Sequence, residues 1–192
     1  MSTFTLRIEN NLHKKTLFIS RLSLLIALTL IIQLIGLPQP ITGPLVNTML
    51  LITTTILGVI SGIILGCMTP LIAVLRGELP PILAPMIPFI IGGNILLVST
   101  YALVKNKMSF FSQKLQNPVR RIELYIAIVL AAVIKYIFLA FAVKLILPVI
   151  LAHSVPDKIA LMMTTPQLVT ALIGGAFALM IYEILYRAEL IR

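Results

Sequence analysis

Residues 44–75 read PLVNTMLLITTTILGVISGIILGCMTPLIAVL, 32 positions without one charged side chain. A bilayer's hydrocarbon core is about 30 Å thick, and one helical crossing takes about 20 residues. The run is too long for a single crossing, even a tilted one. It reads either as one overlong helix or as two shorter helices with a tight turn near Gly58–Gly62. The flanking charges decide between them. Suppose the N-terminal tail, with Arg7, Lys14, Lys15 and Arg21, lies in the cytoplasm. Two helices then return the basic stretch of Lys105, Lys107, Lys114, Arg120 and Arg121 to the cytoplasm, whereas one helix strands it outside. Lys and Arg collect in cytoplasmic loops, so the reading is two helices, roughly 44–57 and 59–75.

The remaining segments follow outward from there. A first crossing, about 20–37, ends at Pro38 and Pro40, since proline lacks an amide donor and biases its predecessor away from the helix. It is preceded by a cytoplasmic tail, 1–19. The loop Arg76-Gly77-Glu78-Leu79-Pro80-Pro81 falls outside. A fourth crossing, about 82–104, tolerates Pro85 and Pro88 in its first turns. The fifth, about 122–147, stops before Pro148. An outer loop, 148–165, carries His153, Asp157 and Lys158, and a sixth crossing spans about 166–186. Eleven of the 15 basic residues then lie inside and two, Arg76 and Lys158, outside. The expectation is an all-α, polytopic membrane protein of six transmembrane helices, one domain over 1–192, with both termini in the cytoplasm. No cleavage site of the A-x-A kind follows the first apolar stretch, so no removable leader is expected.

Composition agrees. The chain is 59% hydrophobic and 11% charged, with a mean hydropathy of +1.10. Soluble domains are about 25% charged, and disordered chains are poorer still in apolar residues. The net charge of +9 suits anionic headgroups. It does not suit nucleic acid, because no polar, aromatic-laced basic surface accompanies it. The single cysteine, Cys67, excludes a disulfide framework and a paired-Cys metal site, and reads as a buried small residue. No GxxxxGK[ST], HExxH or GxSxG occurs. His13 and His153 fall on opposite sides of the membrane. The six acids form no pair for acid–base work. The chain is thus not expected to be an enzyme, and no metal or cofactor is expected.

Small residues mark expected helix contacts. Gly58, Gly62 and Gly66 form a GxxxGxxxG stripe, Ala171, Gly174, Gly175 and Ala178 a similar surface, and Ser23 with Ala27 a third. Close backbone approach drives helix association where lipid removes the hydrophobic incentive. Ionisable and amide groups inside the membrane are costly and point to function. Lys135 lies mid-crossing. Lys144 lies near the outer end, where it can snorkel, and about 180° around the helix from Lys135. Tyr136 roughly shares the side of Lys144. Asn94 and Asn47 are buried amides that need partners. Together with Gln39, Thr42, Arg76, Glu78, His153, Gln167 and Thr170 they converge on the outer half.

The order of features resembles the substrate-binding S components of energy-coupling factor (ECF) transporters. The likeness is sharpest where TGPLVN (42–47) opens the second helix, where GVISGIILGCMTPLIAVLRG (58–77) forms a glycine-rich third, and through ELPP (78–81) to Asn94. The basic tail and the split second and third helices fit as well. The resemblance implies a six-helix subunit that binds a vitamin, vitamin precursor or related micronutrient in its outer half. It implies docking onto a membrane T subunit coupled to two cytoplasmic ATPases, and toppling within the bilayer of a bacterial cell to release substrate. Carried onto this sequence, it places Asn94, Lys135, Tyr136, Lys144, Gln167 and Thr170 around the pocket, and Gln39, Thr42, Arg76 and Glu78 on gating loops. Ser23 and Ala27 stand where the family has an AxxxA-like docking motif, with Ser23 replacing the first alanine. Two other readings fit the size: a scaffold of the rod-shape MreD type and a small self-sufficient carrier. The outer polar cluster argues against the scaffold, and the lack of intramembrane acids argues against a proton-coupled carrier.

Overall fold

The computed structural model describes residues 3–77, 81–115, 120–151, 161 and 163–188. Helix α1, Thr3–Leu34, has 32 residues, about 48 Å at 1.5 Å per residue. No Gly or Pro interrupts it, so the tail and the first crossing form one continuous helix rather than meeting near residue 20. Its bilayer-length apolar part is Leu12–Leu34. The helix ends ahead of Gly36, which takes φ +85°.

Helix α2, Gln39–Leu57, begins five residues before the expected position. Pro40 sits in the first turn, where amides lack partners in any case, and Pro44 forfeits one ladder bond. Gln39 and Thr42, expected on a loop, therefore stand in the first turn of α2. The Thr42 hydroxyl donates to the Leu37 carbonyl at 2.7 Å. The chain turns at Gly58, with φ +91° and open space where a Cβ would project. Helix α3, Val59–Leu75, follows at once. At 17 residues it sits at the short end of what can span a bilayer.

A tight helical turn, Pro81–Met86, leads into α4, Ile87–Leu115. This helix runs through the basic residues instead of ending near 104. Helix α5, Arg120–Phe141, passes into a wide π turn, Ala142–Ile146, and then α6, Leu147–Leu151. The expected stop before Pro148 is thus corrected. In a regular helix the Pro148 ring would press on the Lys144 carbonyl. Here the Leu147 amide reaches back five residues to Ala142, and the widened turn makes room. Helix α7 is Thr165–Arg187. Among the described residues, five helices are long and apolar enough to cross a membrane, and α3 is a sixth, shorter apolar helix.

Glycine contacts fix the register. A Cβ on Gly62 would meet Thr54 and Val98, and one on Gly66 would meet Leu50 and Asn94. Hence α3 runs antiparallel to both α2 and α4, and Gly62 and Gly66 of the stripe are consumed inside the fold, whereas Gly58 lies exposed at the turn. Asn94 meets Lys135 and Phe89 meets Phe138, so α4 and α5 are antiparallel. Gly43 faces Thr170 and Gly174 faces Pro44 and Thr48, so α2 and α7 run parallel. Following these directions, both ends of the described chain lie at one end of the bundle, with Lys105, Lys107 and Arg187. The opposite end carries residues 35–38, 76–77 and 163–164. Cys67 is half-buried and free, rather than buried as expected. Two apolar clusters fill the interior: a large one around Leu50, Leu51, Leu97, Val98 and Ala131, and a smaller one of Met86, Ile90, Leu139, Val143, Leu147 and Met163.

Candidate functional site

Lys135 falls on α5 between those clusters, where Ala131 and Ala132 belong to the first and Leu139 to the second. Its side chain is 3% exposed. An ammonium offers three donors. One goes to Asn47 Oδ1 and one to Asn94 Oδ1, each at 2.9 Å. The two amides are themselves held. Asn94 Nδ2 donates to the Gly66 carbonyl at 3.1 Å and to the Thr69 hydroxyl at 3.3 Å. Asn47 Nδ2 donates to the Gly43 carbonyl at 3.0 Å and lies 3.5 Å from the Thr170 hydroxyl. Three helices, α2, α4 and α5, thus meet on one nitrogen; α3 joins through Asn94 and α7 through Thr170.

The Asn94 donors are committed to α3, and the Asn47 donor to the Gly43 carbonyl of its own helix with Thr170 of α7 beside it, so both oxygens are fixed towards Lys135. Among the described residues no carboxylate pairs with Lys135, the ion pair there being Arg187–Glu183 on the exposed end of α7. A buried charge is stable only when its donors and charge are met, and one donor remains for a further acceptor.

That acceptor has a place to bind. A cavity of about 70 Å3 opens beside the cluster, lined by Gln33, Gln39, Thr42, Asn47, Thr69, Asn94, Lys135 and Gln167, with Val46, Pro70, Ala73, Ile90 and Met163. Its walls come from α1, α2, α3, α4, α5 and the start of α7. Gln33 of α1 donates to the Thr69 carbonyl at 2.9 Å. The Arg76 guanidinium, at the end of α3, caps the Gln33 carbonyl and packs against Gly36. The chain reversal between α1 and α2 is thereby tied to α3 at the mouth of the cavity.

Of the residues expected around a pocket, the structure brings together Asn94, Lys135 and Gln167 on the cavity wall, with Thr170 bonded just behind it. Tyr136 is half-buried and Lys144 is exposed in the wide turn; neither lines the cavity. Gln39 and Thr42 line it from α2, and Arg76 sits beside it. Glu78 and His153 lie outside the described residues. Ser23 and Ala27 are both exposed, on a face of α1 turned away from the bundle. Sequence reasoning missed Gln33 and Thr69 and did not assign Asn47 to the site. Gln33 carried a usable signal, an uncharged amide three-quarters of the way along an apolar span.

A larger groove of about 370 Å3 opens between α5 and α7 at the opposite end, lined by Leu124, Tyr125, Met180, Tyr182, Glu183 and Arg187 among others. Its ion pair is 70% and 37% exposed, and such pairs contribute little. Size favours this groove, but convergent buried polar groups favour the cavity at Lys135, and those groups carry recognition.

The family model described as "ECF transporter, substrate-specific component" matches residues 17–186. The chain belongs to that family. It is a multi-pass membrane protein and the substrate-binding subunit of such a transporter, not an enzyme itself, and it works with a small-molecule substrate and the partner proteins of an ECF module. Comparisons with curated proteins and with solved structures return no match. In this S component every residue that lines the cavity, from Gln33 to Gln167, lies within the matched span.

Proposed function

We propose that this S component captures a vitamin, vitamin precursor or related micronutrient at the outer face of a bacterial cell membrane, with both termini in the cytoplasm. A T subunit and two cytoplasmic ATPases supply the energy for uptake. The substrate presents an anionic or strongly accepting group to Lys135. One observation carries this reading: a lysine 3% exposed, oriented by two amide oxygens, with a donor left over at the wall of a cavity. The basic residues at the chain-terminal end of the bundle support the orientation. The exposure of Ser23 and Ala27 supports α1 as the docking face.

The test joins three measurements. The purified protein is denatured and the released small molecule identified by mass spectrometry. Binding of that molecule is then titrated to wild type and to Lys135→Ala, with a loss of about 10–100-fold expected from removal of a charge-assisted contact. Copurification of wild type should bring down an integral membrane protein and two ATPase chains. Equal affinity of wild type and Lys135→Ala removes the lysine from the site. Copurification with cell-wall synthesis proteins instead favours the scaffold reading.

A further inference from the structure

Gln33 is the second unusual group in the cavity. It is 3% exposed, and its amide orientation is settled by the bond from Nε2 to the Thr69 carbonyl. Turning the amide over would set two oxygens against each other. Its Oε1 has no hydrogen-bond partner. Buried acceptors are rarely left so. Gln33 and Lys135 line the same cavity, whose wall therefore holds a cationic donor with capacity to spare and a buried acceptor without a partner.

The apolar part of the lining is aliphatic. Val46, Pro70, Ala73, Ile90 and Met163 line the space beside the polar residues already named, and among the described residues no aromatic ring does. The chain has no Trp, and residues 78–83 and 151–162 contain no Phe or Tyr. Phe89 and Phe138 pair with each other, their centroids 6.5 Å apart, within the smaller apolar cluster. Flat heteroaromatic ligands are held by stacking on aromatic faces, and none is offered here. The cavity, about 70 Å3, has room for a polar head. A single spare donor matches a carboxylate, whereas a phosphate brings a charge of about −1.5 to −2 and more acceptor oxygens.

We propose that the substrate is a non-aromatic carboxylic acid with a hydroxyl or amide N–H a few bonds from the carboxylate. The carboxylate takes the third donor of Lys135. The hydroxyl or N–H donates to Gln33 Oε1. The aliphatic body lies along Val46, Pro70 and Ile90. This rests on the reading of Lys135 as a substrate contact.

Calorimetry on the full chain in nanodiscs tests it. The probes are pantothenate, pantoate and mevalonate as non-aromatic acids with such a donor, and nicotinate and folate as aromatic acids. Thiamine serves as an aromatic cation. At least one of the first three should bind tenfold or more tightly than either aromatic acid, and its neutral alcohol or amide derivative at least tenfold more weakly. Gln33→Met should weaken that acid about two- to tenfold, and the analogue lacking the donor group should bind wild type and Gln33→Met alike. A merely structural role for Gln33 would affect both compounds equally, and that result overturns its assignment. Absence of binding by all three non-aromatic acids overturns the substrate class. Tight binding of nicotinate or folate that is lost in Lys135→Ala overturns the class and leaves the Lys135 reading standing. Tight thiamine binding untouched by Lys135→Ala overturns both.

Discussion

Replacing Gly174 by alanine is the most informative single perturbation of this bundle. A Cβ there would lie 2.6 Å from the Pro44 carbonyl oxygen, 2.7 Å from Asn47 Cβ and 3.0 Å from the Thr48 amide nitrogen. Ordinary contact begins near 3.4 Å, so α2 and α7 must part by about 0.8 Å. Two of the three neighbours are main-chain atoms of α2 and cannot rotate aside. The separation stretches the 3.0 Å bond from the Thr48 hydroxyl to the Gly174 carbonyl and draws Asn47 away from Lys135. Overpacking of this kind costs about 1–3 kcal/mol, about 2–12 °C in melting temperature for a chain of this size. Loss of heat-treated protein from a size-exclusion peak in detergent measures it. Gly92→Ala and Gly93→Ala are the controls. Their nearest contacts are the Phe138 ring at 3.1 Å and the Leu139 side chain at 3.3 Å, which need give by only a few tenths of an ångström. Gly174→Ala should therefore be the least stable of the three and also bind substrate more weakly. If it melts with wild type, or above Gly92→Ala, main-chain contact between α2 and α7 does not hold the site together.

Gly58→Ala should cost about 1 kcal/mol from backbone strain alone, because φ is +91° and no atom lies near the new methyl; the same melting assay reads it, and substrate affinity should not change. Arg76→Ala releases the Gln33 carbonyl and should raise the substrate off-rate several-fold, seen by stopped-flow competition, with less effect on the melt. Tyr101→Phe and Thr55→Val, which break the 2.9 Å contact between the two hydroxyls, should show a coupling of about 0.5–1.5 kcal/mol in a double-mutant cycle, and additive effects would show the contact to be idle. Ser23→Trp or Ala27→Trp, on the exposed side of α1, should reduce copurification of partner subunits by tenfold or more and leave substrate binding unchanged.

The fold was legible where the signal was local and physical. A charge-free run too long for one crossing, read against basic residues on both sides, is enough to demand a reversal, and the chain reverses at Gly58. Boundaries set by proline were less legible. Pro38 ends nothing that Gly36 has not already ended, Pro40 opens α2, and Pro148 is carried by a π turn whose formation depends on packing around Ala142 and Leu147. At the site, Lys135 and Asn94 stood out because charge and amide groups are costly in lipid. Lys144 is set apart in sequence by its place near the outer end, about 180° around the helix from Lys135, and it is exposed in the wide turn beyond α5. The partners of Lys135 were not legible, since Asn47 is 88 residues away and no local pattern couples them.

The glycines and the polar cluster are one design. Gly43 abuts Thr170, Gly66 abuts Asn94, and Gly174 abuts Asn47. Each close approach of backbones therefore borders a residue of the network around Lys135. In lipid, apolar side chains gain little by leaving the bilayer for a neighbouring helix, so precision at the site cannot come from a tightly driven hydrophobic core as it would in water. It comes from main-chain proximity, which lets Asn94 reach the Gly66 carbonyl and brings the Thr170 hydroxyl within 3.5 Å of the Asn47 amide, and those contacts help aim both amide oxygens at a single nitrogen. The stability of the helix contacts and the geometry of substrate capture are then the same quantity. Mutations that spread α2 from α7, or α3 from α4, should lower melting temperature and substrate affinity together, whereas those on the lipid-facing side of α5, such as at Val129 or Val133, should change neither.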